Sequence, residues 1–340
     1  MSLRRRFSTA VLGLLALGVV NPATAAADAP GPTDYQSEVI DVSPAHDGIA
    51  LQMIGGDSFL QLEVDQGVEV MVIGYRGEDY LWFAADGTVY ENERSPSVYL
   101  NEDRFGEDIP IDANADPDAD PVWSEVATNG RYSWHDHRTH WMNRARPPAA
   151  EPGDIILEAV VPLVVDGEAV SVTVNSVWVD PPSPVGVIAG AAIALAVLAI
   201  LVVRAGRTSG AAVATGVSAG AALVIGIWQV VSLPSETGPS PLLWLLPLVA
   251  AICAAAAIVS ILRQGWDDLI SGLVMLGALD LALWSWLRFD GLTNAILPTN
   301  APFGLDRAVT IAALIIGLAS LILAGSELAK RLTTPIPTVS

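Results

Sequence analysis

Apolar side chains recur at every second position between residues 35 and 179, and from residue 185 onward they run almost unbroken. A period of two marks strands with one buried face. It predicts strands over 49–54, 59–64, 68–75, 131–134, 155–161 and 170–179, all short and rich in β-branched and aromatic residues. Turn signals separate them at Gly55-Gly56-Asp57, Asp86-Gly87 and Asp166-Gly167. No long amphipathic helix is expected in this region. Seven or more short strands in about 155 residues predict an all-β sandwich, immunoglobulin-like or cupredoxin-like.

Five apolar stretches follow the Pro-rich 181–184 segment, at 185–203, 211–233, 242–262, 269–287 and 308–328. Each is close to the roughly 20 residues needed to cross a hydrocarbon core of about 30 Å. The expected fold class is therefore an extracytoplasmic β-sandwich followed by an α-helical membrane domain of five transmembrane helices. Basic residues follow the first span (Arg204, Arg207), the third (Arg263) and the fifth (Lys330, Arg331). Cytoplasmic loops carry the excess of Lys and Arg. That rule places the N-terminal domain outside and the C-terminus inside a multi-pass protein of the cell (cytoplasmic) membrane.

The 234–241 loop has no base and suits the outside, while 288–307 has one arginine at each end and discriminates nothing. Residues 1–25 read as a secretory signal peptide: Arg4, Arg5 and Arg6, then an apolar run, then Ala23-Thr24-Ala25. The expected plan is a signal peptide at 1–25, the β-domain at 26–180 and the linker at 181–184. A membrane domain at 185–333 and a cytoplasmic tail at 334–340 complete it.

Charge sharpens the division. Residues 26–184 hold 30 Asp and Glu against 7 Arg and no Lys, a net of −23, whereas the remainder after 184 is neutral. Such a surface repels nucleic acid and attracts cations. The expected partners are the lipid bilayer and other envelope proteins. The single cysteine, Cys253, lies in an apolar span, so there is no disulfide framework.

Candidate chemistry centres on Trp134-His135-Asp136-His137-Arg138-Thr139-His140-Trp141-Met142, which holds three of the four histidines. On a strand, residues two apart share a face, so His135 and His137 point together and His140 needs a turn to join them. Imidazoles suit Cu(II) or Zn(II), and the Met142 thioether adds affinity for Cu(I). His46, in a distant loop, is a candidate to complete the site. The competing reading is a packed corner with both tryptophans buried, the rings bonded to backbone, and Arg138 paired with an acid on a neighbouring loop.

Other motifs carry less. The acidic run from Asp112 to Asp120 begins like a calcium loop but has Pro117 where glycine is required and Trp123 where the closing glutamate belongs. Gly216-Val217-Ser218-Ala219-Gly220 matches a nucleophile elbow, yet it lies inside a span, where it reads as a helix-packing face like Gly186/Gly190. Asp280 falls near mid-membrane, where an ionisable group is costly. Cys253 and Ser320 lie at similar depth and are expected to hydrogen-bond it.

Three stretches resist a plain strand reading: the histidine tract, 74–81 (GYRGEDYL) and 90–101 (YENERSPSVYLN). Together they resemble an uncharacterised family of actinobacterial exported membrane proteins with a GYxGExYL, YENxxSPxxYLN and WHDHRxHWM signature. Asp79 departs from the proline expected there. The resemblance implies a β-rich exported domain ahead of several helices, and no activity. The residues point first to a non-enzymatic, membrane-tethered metal-binding module for copper, or else zinc. A structural or partner-binding envelope protein is the alternative. A copper-dependent redox enzyme subunit is the second.

Overall fold

Among the described residues, alternation of buried and outward side chains builds ten strands in the N-terminal region. They are β1 (Tyr35–Ser43), β2 (Ile49–Ile54), β3 (Phe59–Val64), β4 (Val70–Ile73), β5 (Asp79–Phe83), β6 (Val89–Asn92), β7 (Trp123–Ala127), β8 (Arg131–Trp134), β9 (Ile155–Val165) and β10 (Glu168–Trp178). The computed structural model describes residues 30–105, 111–238 and 240–333, and the predicted signal peptide and C-terminal tail lie outside the described residues.

A seven-stranded sheet, β1-β10-β9-β4-β5-β6-β7, packs against a three-stranded sheet, β2-β3-β8. All pairings are antiparallel, so the predicted sandwich is the architecture. Its core joins Leu60, Leu62 and Trp134 of the small sheet to Val72, Leu81, Leu163 and Val172 of the large one. The turn at Asp166-Gly167 joins the two longest strands, with Val165 opposite Glu168. A single turn of helix, α1 (Pro96–Leu100), is capped by Ser95.

Among the described residues five helices are long and apolar enough to cross a membrane: α2 (Val185–Ala205), α3 (Arg207–Ser232), α4 (Leu242–Leu262), α5 (Asp267–Leu287) and α6 (Phe303–Thr333). Backbones approach closely where side chains are smallest. A Cβ on Gly190 would lie 2.2 Å from the Ala308 carbonyl oxygen, so only glycine lets α2 meet α6 there. The predicted face at Gly216 and Gly220 is half realised: Gly216 meets Ala254, while Gly220 is exposed with nothing within 4 Å. Ser218 is helical and buried within α3, with no strand-turn-helix around it.

The β-domain is tied to one end of the helical domain. Thr33 exchanges both backbone bonds with Ile296, at 3.0 and 2.8 Å. Asn294 Nδ2 donates to the Pro32 carbonyl, and Asp34 Oδ1 accepts from Ala295 N. At the far end Arg207 pairs with Glu327 at 3.4 Å and Arg331 pairs with Asp267. The residues that follow the first, third and fifth spans therefore sit opposite the sandwich. Arg288 and Arg307, at the sandwich end, are both consumed internally. Arg288 donates to both oxygens of Asp306 at 2.8 and 2.6 Å, and Arg307 donates to the Gly291, Asn294 and Ala295 carbonyls.

The expected bond from Ser320 to Asp280 is not made. Asp280 Oδ2 and Ser320 Oγ are each buried without a partner. The reason is helical phase, at about 100° per residue. Ala278 and Ala282 face Gly317 of α6, which turns Asp280, midway between them in sequence, to the opposite side. Gly277, one turn before Asp280, packs against Cys253 instead.

Candidate metal centre

β8 ends at Trp134, and the histidine tract that follows is a turn and not a strand. Asp136 closes it: its carbonyl accepts from Thr139 N at 2.9 Å and Thr139 Oγ1 at 2.8 Å. Ser37 Oγ of β1 then donates to the Thr139 carbonyl at 2.6 Å, pinning the turn to the large sheet.

The Asp136 carboxylate is fully buried. It accepts from Trp134 Nε1 (3.0 Å), Arg138 N (3.0 Å), Arg138 Nε (2.9 Å) and an Arg138 terminal nitrogen (2.8 Å). Burial opposes its charge, but these donors outweigh burial and hold its pKa below the ordinary carboxylate value. Arg138 thus pairs within its own tract, contrary to the expected partner on a neighbouring loop. A bidentate guanidinium two residues on is closer than any loop acid and is fixed by the same turn.

The other two motif stretches brace this corner. Tyr75 Oη accepts from His137 N at 2.8 Å and donates to Asn101 Oδ1. The Tyr75 ring stacks with the His137 ring at 6.0 Å, and the Arg138 guanidinium lies 4.9 Å from its centre. Asn101 Nδ2 donates to Tyr80 Oη at 3.1 Å. Glu78 Oε1 accepts from Ser95 Oγ and Ser97 Oγ, both at 2.7 Å. Gly74 makes room for that carboxylate: a Cβ there would sit 2.2 Å from Glu78 Oε1. GYRGEDYL, YENERSPSVYLN and the histidine tract form one hydrogen-bonded unit.

Within it, each imidazole spends one nitrogen on a backbone carbonyl. His135 Nδ1 bonds the Ser58 carbonyl at 2.7 Å, His137 Nε2 the Asp103 carbonyl at 2.8 Å, and His140 Nδ1 the Trp141 carbonyl at 3.1 Å. A carbonyl only accepts, so each bonded nitrogen carries the proton and the other keeps its lone pair. The lone pairs are thereby assigned to His135 Nε2, His137 Nδ1 and His140 Nε2.

His135 Nε2 and His140 Nε2 are buried with no partner among the described residues. One ring nitrogen from each of the three residues lies within 4.8 Å of the others. Ring centroids are 4.4 Å apart for His135 and His140, 5.4 Å for His135 and His137, and 5.7 Å for His137 and His140. A tetrahedral ion with bonds of about 2.0–2.1 Å wants nitrogens about 3.4 Å apart, so an ion would draw the rings inward.

The rings are neutral. Burial pushes His135 down to about 4 and His140 to about 2, and lowers His137. The Arg104 guanidinium, held by Asp57 at 2.5 Å, adds to all three shifts. The sign for stability follows. A histidine whose folded pKa is depressed binds protons preferentially when unfolded, so its contribution is full above about 6.5 and is lost as pH falls. Thermal unfolding of metal-free protein is expected to show a loss on the order of 3 kcal/mol by pH 4 from His135 alone. A His135→Asn variant should show a shallower acid slope between pH 6.5 and 4 than the wild type.

His46 does not join the group. Its Nδ1 accepts from Gly48 N at 3.1 Å, and its Nε2 lies 3.8 Å from Asp166. Gly48 bonds Asp65, at the end of β3 away from Ser58. Six residues of strand at ~3.3 Å each, about 20 Å, separate the two ends. Met142 follows His140 by two residues and is half-buried.

Sequence reasoning missed Tyr75, Asp57 and Arg104. A lone arginine among Glu102, Asp103, Glu107 and Asp108 was a legible signal for the last. Comparisons with protein-family models, with curated proteins and with solved structures find no match to this chain.

Proposed function

We propose that this protein is a membrane-tethered, extracytoplasmic metal-binding module whose centre is His135, His137 and His140. The observation that carries the reading is the pairing of two features: each ring anchors one nitrogen to a backbone carbonyl, and one ring nitrogen from each histidine lies within 4.8 Å of the others. Metal-ligating histidines characteristically donate their second N–H in this way, which fixes tautomer and orientation. Burying acceptors with no hydrogen bond costs about 1–3 kcal/mol each, and a metal ion repays that cost.

The donor set selects the metal class. Three neutral imidazoles without thiolate or carboxylate favour Cu(II) and Zn(II) over calcium or magnesium, and at equal availability Cu(II) binds more tightly. We therefore assign copper first. The basic residues on the far end of the helices from the sandwich support a cytoplasmic placement for that end, and an outside placement for the centre. A bundle of five apolar helices holds it to the bilayer.

The test is equilibrium dialysis of the full chain in detergent against Cu²⁺ or Zn²⁺, followed by elemental analysis. One ion per chain is expected. If a His135→Ala/His137→Ala variant retains the same amount, the reading fails. The remaining interpretation is then a structural corner, which the interlocked motif network would support.

A further inference from the structure

Beside the centre, a cavity of about 260 Å³ opens between the sandwich and the helical domain. Three carboxylates line it: Glu91 on β6, Glu102 just past α1, and Glu236 from the turn between α3 and α4. Among the described residues no lysine or arginine does. The charges crowd the same space. Tyr132, also in the wall, feels both Glu91 and Glu236, and burial beside Glu102 and Glu93 pushes the Glu91 carboxyl up to about 7.

His135 belongs to both places. It lines the cavity, it is 6% exposed, and its Nε2 has no partner. Among the described residues the histidines are the one group close enough to hold an ion, so the three carboxylates do not themselves form a resting site.

We propose that this acidic cavity is the entry route for the metal, with Glu102 and Glu236 drawing in a hydrated divalent cation, Glu91 adding its charge once ionised, and His135 receiving it. The proposal rests on the metal reading above. Low-dielectric walls lined by one sign of charge focus the field and raise the arrival rate of the opposite charge by 10-fold or more, increasingly so at low salt. Loading is then ligand exchange: water leaves the cation as His135 Nε2 bonds to it, and His137 and His140 follow. No electron or proton changes hands. Because Glu236 belongs to the helical domain, the route exists only while the two halves are docked.

Stopped-flow mixing of the full chain in detergent with Cu²⁺ alone, read by quenching of tryptophan fluorescence at low ionic strength, tests this. The Glu91→Gln/Glu102→Gln/Glu236→Gln variant should load about tenfold more slowly, with a flattened salt dependence. The single Glu102→Gln change, at an exposed position, should give about a threefold slowing if folding of the triple variant suffers. A Glu151→Gln/Glu158→Gln/Glu168→Gln control loses the same formal charge from exposed residues that do not line the cavity. It should load at the wild-type rate. Equal rates in all variants, or equal slowing in the control, overturn the route alone. The absence of any saturable signal in wild type overturns the metal centre and the route together.

Discussion

Asparagine at both His135 and His140 is expected to lower metal affinity on the order of 10⁴-fold while leaving the metal-free fold nearly intact. Structural zinc sites bind with apparent energies of about 10–16 kcal/mol over four ligands, so two ligands are worth about 5–8 kcal/mol, about four decades at the low end. Asparagine keeps a donor near the position of Nδ1, preserving bonds to the Ser58 and Trp141 carbonyls, and deletes Nε2. Loss of ring volume destabilises the corner. Removal of two buried, unpartnered acceptors offsets much of that. The net change in metal-free stability is expected to stay within about 2 kcal/mol.

Dialysis and thermal melting on one preparation separate the readings. A ligand role predicts lost binding, and a melting temperature that no longer rises with added metal. A purely structural role predicts a large fall in melting temperature and no difference in metal content.

Asp136→Ala should be far more damaging to the fold. Its carboxylate satisfies Trp134 Nε1, Arg138 N and the Arg138 guanidinium, and Arg138 is itself largely buried. Removing one partner of a buried ion pair strands the other, a loss of about 3–5 kcal/mol. Here the indole and a backbone N–H are stranded as well. Asp136→Asn keeps the shape and part of the hydrogen bonding, and should fall between wild type and alanine. Near-UV circular dichroism during thermal unfolding would follow both, since Trp134 reports the corner directly. Metal affinity should fall about 10–100-fold in Asp136→Asn, the usual effect of disturbing groups that orient the ligands. If Asp136→Ala melts with the wild type, the carboxylate does not organise the tract.

Legibility varied from element to element for physical reasons. Strands β2, β3 and β8 follow the predicted bounds because their alternation is uninterrupted, with core residues such as Leu60 and Leu62 on their inner face. β1 and β7 were not anticipated. They are the two edges of the large sheet, where charged and polar residues such as Glu38, Asp41 and Glu125 blunt the pattern. β5 and β6 were hidden inside motif stretches, because Glu78, Asn92 and Ser95 there serve hydrogen bonding more than burial.

The histidine tract was legible as a cluster but not in its shape. Strand parity joined His135 to His137 and left His140 aside. The turn closed by Asp136 and Thr139 brings in all three and buries two of them, His135 at 6% and His140 at 1% exposure.

Composition and periodicity alone determined the β-sandwich, the five apolar helices and the segregation of acid from apolar surface, because burial of alternating or continuous apolar residues is a local property of the chain. That the three rings meet, which carbonyls anchor them, and that His46 sits by Gly48 and Asp166 at the other end of β3, only the tertiary structure decided. Those outcomes depend on the register between β3 and β8 and on a turn closed within the tract and braced by the other two motifs. Contacts between segments distant in sequence leave no periodic trace in the segments themselves.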